Sequence, residues 1–133
     1  MEIATLIHDL ARPAAFPNLV DAVETYQTHI STVFVAGDVA YKIRKPVRLP
    51  FLDFSTLEKR EHDCHEEGRL NRRLAPQVYL GVVPITCGPT GCVFEGSGEA
   101  VEWAVKMTRL PDDATLEHLV RNDAVQGDQL ARL

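Results

Sequence analysis

The sequence predicts an α+β fold: a mostly antiparallel five-stranded sheet with one long helix packed on it, plus N- and C-terminal helices. Three observations lead there. Residues 33–43 alternate β-branched and aromatic residues around Gly37-Asp38, the pattern of a β-hairpin. Residues 55–74 carry a helix-start signal and then helical periodicity, with Pro76 as the stop. Two more strand-like runs, 78–85 and 101–107, follow that helix, separated by glycine-rich turns. The chain has 133 residues, 45% apolar and 25% charged, so one domain spanning 1–133 is expected.

Element by element, Ile3, Leu6, Ile7 and Leu10 fall at helical spacing and Pro13 marks the stop. Val33 to Val35 and Val39 to Ile43 make the hairpin, and Pro46 and Pro50 end its second strand. Ser55-Thr56-Leu57-Glu58 fits a capping box, with the Ser55 hydroxyl accepting from the Glu58 amide. Cys64, Glu67, Leu70 and Leu74 then share one helix face by their three- and four-residue spacing. After the fifth strand the chain passes through Arg109-Leu110-Pro111 into a helix carrying Leu116, Leu119 and Val120. Its final residues, Gln129 to Leu133, have neither glycine cap nor proline stop, so that helix reads as cut.

Charge and cysteine content exclude several classes. A net charge of -5 gives no sequence-wide basic field, so nucleic acid is not an expected partner. The short basic stretch Lys42, Arg44, Lys45, Arg48 is either a solvated strand end or a local patch. No apolar run is long enough for a membrane span. The N-terminus, with Glu2 and no basic segment, reads as a helix of the mature protein, and the expected localisation is cytoplasmic. Three cysteines, Cys64, Cys87 and Cys92, argue by their odd number against a disulfide framework. Neither Cys87 with Cys92 nor the His62, Cys64, His65 group has good zinc-ligand spacing.

Four segments carry chemistry. Val39-Ala40-Tyr41-Lys42 differs at one position from the V-A-I-K strand whose lysine pairs with nucleotide phosphates. Alternation puts Ala40 and Lys42 on one face, as an adenine-phosphate surface requires. Glu67, a carboxylate within an otherwise apolar stripe, needs a partner, and a strand lysine would supply one; Glu66 is the competing candidate. Gly68 either admits close approach of the sheet or weakens the helix. In Thr28-His29-Ile30-Ser31-Thr32 there is no glycine, yet the Ser31 and Thr32 hydroxyls and the backbone amides could meet phosphate oxygens, with His29 nearby. Backbone groups from Met107 to Arg109 sit where adenine would be hydrogen-bonded.

Taken together, THISTVFVAGDVAYKIRKPV, PFLDFSTLEKREHDCHEEGRLNRRLAPQVYLGVVPI and VEWAVKMTRLP resemble bacterial kinase-like proteins of the aminoglycoside phosphotransferase family, often fused to a P-loop ATPase domain. The resemblance runs from about Leu6 to the end. It implies a protein-kinase-like N-terminal lobe using ATP and magnesium. Lys42 would be the phosphate lysine, Glu67 its helix partner and Met107 to Arg109 the interlobe linker. The implied partners are a nucleotide, a small hydroxylated acceptor, and a C-terminal lobe or P-loop domain. Thr32 stands where the family usually has tryptophan, and Gly68 where it has an aliphatic residue. No histidine-glycine-aspartate catalytic loop and no later metal-binding aspartate occur, so neither catalytic residues nor magnesium ligands are assigned to this chain. The expected activity is nucleotide binding without turnover; a non-catalytic nucleotide- or protein-binding module is the alternative.

Overall fold

The computed structural model describes residues 2–74 and 76–109. The C-terminal helix expected from the sequence lies outside them. Helix α1 (Ile3–Leu10) leads into a short 3-10 helix, Pro13–Ala15. Strands β1 (Glu24–Gln27), β2 (Ser31–Ala36) and β3 (Val39–Arg44) follow. A two-residue ribbon, β4 (Arg48–Leu49) with β5 (Leu52–Asp53), then precedes α2 (Leu57–Leu74). The chain returns through β6 (Tyr79–Gly88), β7 (Gly91–Phe94) and β8 (Glu102–Thr108).

The main sheet has six strands in the order β1-β2-β3-β8-β6-β7, every pair antiparallel. The sequence predicts five, and the sixth is β7, which lies where the sequence shows only glycine-rich turns between residues 85 and 101. Gly37, with φ 58°, closes the β2–β3 hairpin in the left-handed conformation that a two-residue turn demands. The helix cap also differs from the reading. Thr56 Oγ1 accepts the Lys59 amide at 3.2 Å, whereas Ser55 is occupied with Asp53 through both its amide and its hydroxyl. The helix therefore starts one residue later than a Ser55 capping box requires.

The two faces of the sheet are packed differently. On one, α1 and the 3-10 helix bury Leu6, Leu10, Ala15 and Phe16 against Phe34, Tyr41, Ile43, Ile85 and Phe94. Tyr41 stacks on Phe94 with centroids 4.0 Å apart, and Phe16 meets both rings edge-on. Such aromatic geometries add about 1 kcal/mol each beyond area burial. Helix α1 is pinned to the edge hairpin by Asp9, whose carboxylate accepts the Cys92 amide at 3.1 Å. The approach is close enough that a Cβ on Gly91 would lie 2.5 Å from the Arg12 guanidinium.

That hairpin carries a correction. Cys87 and Cys92 face each other across β6 and β7 and are joined as a disulfide, with Cα atoms 3.9 Å apart. Counting cysteines could not find this, because one local pair plus one buried thiol also makes three. No helix among the described residues is long and apolar enough to cross a membrane.

At the rim of the aromatic core, the Tyr41 hydroxyl donates to Glu95 at 2.6 Å and the Lys106 ammonium to the same oxygen at 2.9 Å. Burial alone would raise the Glu95 pKa, but these two donors outweigh it and the net shift is downward. A carboxylate depressed in the fold contributes stability above its unfolded pKa and loses it as pH falls through the folded value. Glu95→Gln is therefore expected to be less stable than wild type at neutral pH. The difference should shrink as pH drops below about 4, measured by thermal unfolding across pH. Parallel pH profiles for the two proteins would contradict this.

Candidate functional site

The site lies on the second face, where α2 crosses the sheet. Strand alternation puts Ala40, Lys42 and Arg44 of β3 on this side, while Val39, Tyr41 and Ile43 go into the aromatic core. Around Ala40 the surface is apolar, made by Val33, Val35, Val105 and Met107. Around Lys42 and Arg44 it is charged. Both cations are almost completely buried, at 6% and 4% exposure, so their charges require compensation.

Helix α2 supplies it. Glu67 Oε1 lies 3.4 Å from Lys42 Nζ and accepts a hydrogen bond from Arg44 Nη2. One turn earlier, Asp63 accepts from Arg44 Nε at 2.9 Å. Two turns before Glu67, Arg60 Nε donates to both carboxylate oxygens of Glu102 at the start of β8, at 3.2 and 2.9 Å. Between them sits Cys64, its thiol directed at the Trp103 carbonyl. Burial opposes the Arg44 charge, but Glu67 and then Asp63 outweigh that penalty and its pKa is raised. Burial wins at Glu102, which is raised despite Arg60, and it pushes the Cys64 thiol up to about 11.

Glu67, not Glu66, is thus the inward carboxylate. Glu66 points outward and pairs with Arg69 at 2.8 Å. Of the stripe expected alongside Glu67, Cys64 is buried as expected but Leu70 is half-exposed, and Gly68 is the other buried position. A Cβ on Gly68 would make ordinary contact with Val82 at 3.8 Å, so close approach of the sheet does not forbid a methyl there.

The remaining expected residues separate. Ser31 faces the site, opposite Arg44 in the β2–β3 register. Thr32 does not. It projects to the aromatic side beside Ile43, and among the described residues its buried hydroxyl has no hydrogen-bond partner. The segment 28–31 is a tight turn in which the amides of Thr28, Ile30 and Ser31 are taken internally. Thr28 N donates to the Ser31 carbonyl, while Ile30 N and Ser31 N both donate to Thr28 Oγ1. Those three amides are therefore engaged within the turn, not turned toward a ligand. Met107 is buried opposite Ala40 and belongs to the apolar surface. The amides of Thr108 and Arg109 are likewise taken, by the Val78 and Asp38 carbonyls at 2.7 Å each.

Sequence reasoning missed Arg44, Asp63 and the Arg60–Glu102 pair. Arg44 belongs to the basic stretch that the sequence leaves open as a solvated strand end or a local patch. In the fold, Lys42 and Arg44 are inward, Lys45 donates to the Thr28 carbonyl at 2.7 Å, and only Arg48 is exposed. Alternation alone could have flagged Arg44, since it shares its face with Lys42. No cluster of metal-binding side chains occurs among the described residues.

Curated proteins similar to this chain include one from Mycobacterium bovis and two from Mycobacterium tuberculosis, each described as uncharacterized. Each is 39% identical over 98 residues, a match covering 74% of this chain and 18% of the relative. The chain therefore corresponds to less than a fifth of those proteins. No protein-family model matches the chain, and no solved structure does.

Two outcomes test this geometry. Thr32→Val replaces an unpartnered buried hydroxyl with a methyl of similar shape, so it should stabilise the fold by about 1 kcal/mol in denaturant unfolding. A loss of stability would mean the hydroxyl has a partner. In a thiol titration at pH 8 the native protein should show no fast-reacting thiol, and denaturation without reductant should release one, Cys64. Release of three would rule out the disulfide.

Proposed function

We propose that this chain is the nucleotide-holding lobe of a kinase-like phosphotransferase, of the aminoglycoside phosphotransferase type. The reading is carried by one observation. Lys42 on the third strand and Glu67 on the helix that follows meet at 3.4 Å, both nearly buried, on one face of an antiparallel sheet. In kinases the β3 lysine contacts the α- and β-phosphates and a helix glutamate holds it in place. Lys42 takes the phosphate oxygens of ATP in this reading, Glu67 fixes the ammonium, and Ser31 contributes its hydroxyl. Ala40, with Val35 and Met107, forms a small apolar cluster next to the pair, buried within this chain.

The described residues provide no set of magnesium ligands, and the sequence contains no histidine-glycine-aspartate loop. In this reading the lobe binds and orients the nucleotide. Transfer of the γ-phosphoryl group to a small hydroxylated acceptor belongs to a C-terminal lobe, or to a P-loop domain alongside it, in a cytoplasmic enzyme. That the similar mycobacterial proteins are several times longer than the stretch they share with this chain supports a division of labour of this kind.

A second reading is favoured by the internal bonding of the 28–31 turn and of the Thr108 and Arg109 amides. There the chain is a non-catalytic module that uses the Lys42–Glu67 pair as a strut. Calorimetric titration with ATP separates the two. The chain should bind saturably, and Lys42→Ala should weaken binding about tenfold or more, as expected for loss of a charge-assisted contact. Equal binding by both proteins, or none by wild type, would overturn the nucleotide-lobe reading.

A further inference from the structure

The end of α1 is fastened to the sheet where a covalent bond also closes the edge hairpin. Strand β7 is the last of the sheet and pairs with β6 through four residue pairs, of which Cys87 with Cys92 is the third. Toward the turn there is one pair more, Gly88 with Gly91, and neither residue has a side chain to pack. The helix end grips this same region. Asp9 accepts the Cys92 amide at 3.1 Å, and Arg12 donates from Nη1 to the Thr90 carbonyl at 3.3 Å. Arg12 Nε donates to the Asp9 carbonyl at 2.8 Å, so one guanidinium bridges helix and turn. The two cysteines differ in access: Cys92 is fully buried in the aromatic core, whereas Cys87 is exposed.

We propose that the Cys87–Cys92 bond is a redox clamp on α1: a dithiol reductant opens it in the folded protein through Cys87, and opening frees the 88–91 turn and with it the C-terminal end of the helix. The step is two thiol–disulfide exchanges. A thiolate of the reductant attacks the Cys87 sulfur in line with the S–S bond and bonds to it. The bond to Cys92 breaks, and the Cys92 sulfur leaves with the electron pair and takes up a proton. The second thiolate of the reductant then displaces Cys87 in the same way. The cysteine pair gains two electrons and two protons, and the reductant ends as a disulfide. Attack at Cys92 is excluded by its burial. While the bond is intact, it holds the ribbon in register at its turn end. Once it is broken, two glycines at a sheet edge carry that register, and such a segment opens locally at low cost in free energy. Phe94 pairs with Ile85 at the other end of β7 and stays in the core, so the opening is confined to the edge. The clamp lies on the face opposite Lys42 and Glu67 and is independent of the nucleotide reading.

The test is hydrogen exchange of the full chain, read amide by amide, before and after treatment with dithiothreitol, with thiols counted in parallel. Dithiothreitol should release the thiols of Cys87 and Cys92 without denaturant, while the amides of β2 and β3 keep their protection. The Cys92 amide should then exchange about tenfold faster or more, as expected for local opening. The Ala11 amide, which donates to Ile7 at the end of α1, should follow it, and reoxidation should restore both. Cys87→Ala, at an exposed position, should exchange rapidly at both amides with or without reductant. Unchanged protection of Cys92 and Ala11 in the reduced protein, or wild-type protection in Cys87→Ala, overturns the clamp. So does reduction that succeeds only in denaturant, because the bond is then closed to a reductant in the fold. Loss of protection throughout β2 and β3 overturns it as well, since the bond would then support the whole domain and not the helix end.

Discussion

The structure depends on how a helix with almost no apolar face can be held against a sheet. Helix α2 turns Arg60, Asp63, Cys64 and Glu67 inward, and of these only Cys64 is apolar in character. Ordinary amphipathic helices dock by an aliphatic stripe. Here the docking groups are ions: Arg60 with Glu102, Arg44 with Asp63 and Glu67, and Lys42 with Glu67. Desolvating such groups is expensive, and the cost is offset only when geometry is good and every charge has a partner. The arrangement gains position rather than raw stability, because each salt bridge accepts only a narrow register of helix on sheet.

The opposite face complements this. It is dry and aromatic, with Phe16, Phe34, Tyr41 and Phe94 interlocked beneath α1. Burial there is non-directional and supplies the driving force for folding. The division follows from β3 itself, whose alternating residues send Val39, Tyr41 and Ile43 one way and Ala40, Lys42 and Arg44 the other. A single strand thus anchors the core with one side and presents cations with the other.

Much of this was legible in the sequence, and the limits have physical causes. Period-two alternation assigns Lys42 and Ala40 to a common face, and helical spacing brings Glu67 inward. Leu70 failed because the same spacing was read as an apolar stripe, whereas the helix rotates so that its buried line runs through Arg60, Cys64 and Gly68. Arg44 was hidden by its neighbours, since a basic run looks solvated until the fold places its alternate members inside. Thr32 was misplaced because its segment was treated as a loop. It lies within β2, where the strand period decides its face. The disulfide between Cys87 and Cys92 depends on the β6–β7 register, which turn chemistry suggests but does not fix.

The carboxylate that pairs with Lys42 is also a principal anchor of α2, through Arg44. Any anion that draws Lys42 away changes the charge balance at Glu67 and therefore the energy with which the helix is seated. By reciprocity, anything that shifts α2 changes affinity for that anion by the same factor. An aliphatic helix-sheet interface would separate these functions, since moving one ammonium would leave the packing untouched. An ionic interface couples them, so moving either cation of β3 would alter the energy with which α2 is seated.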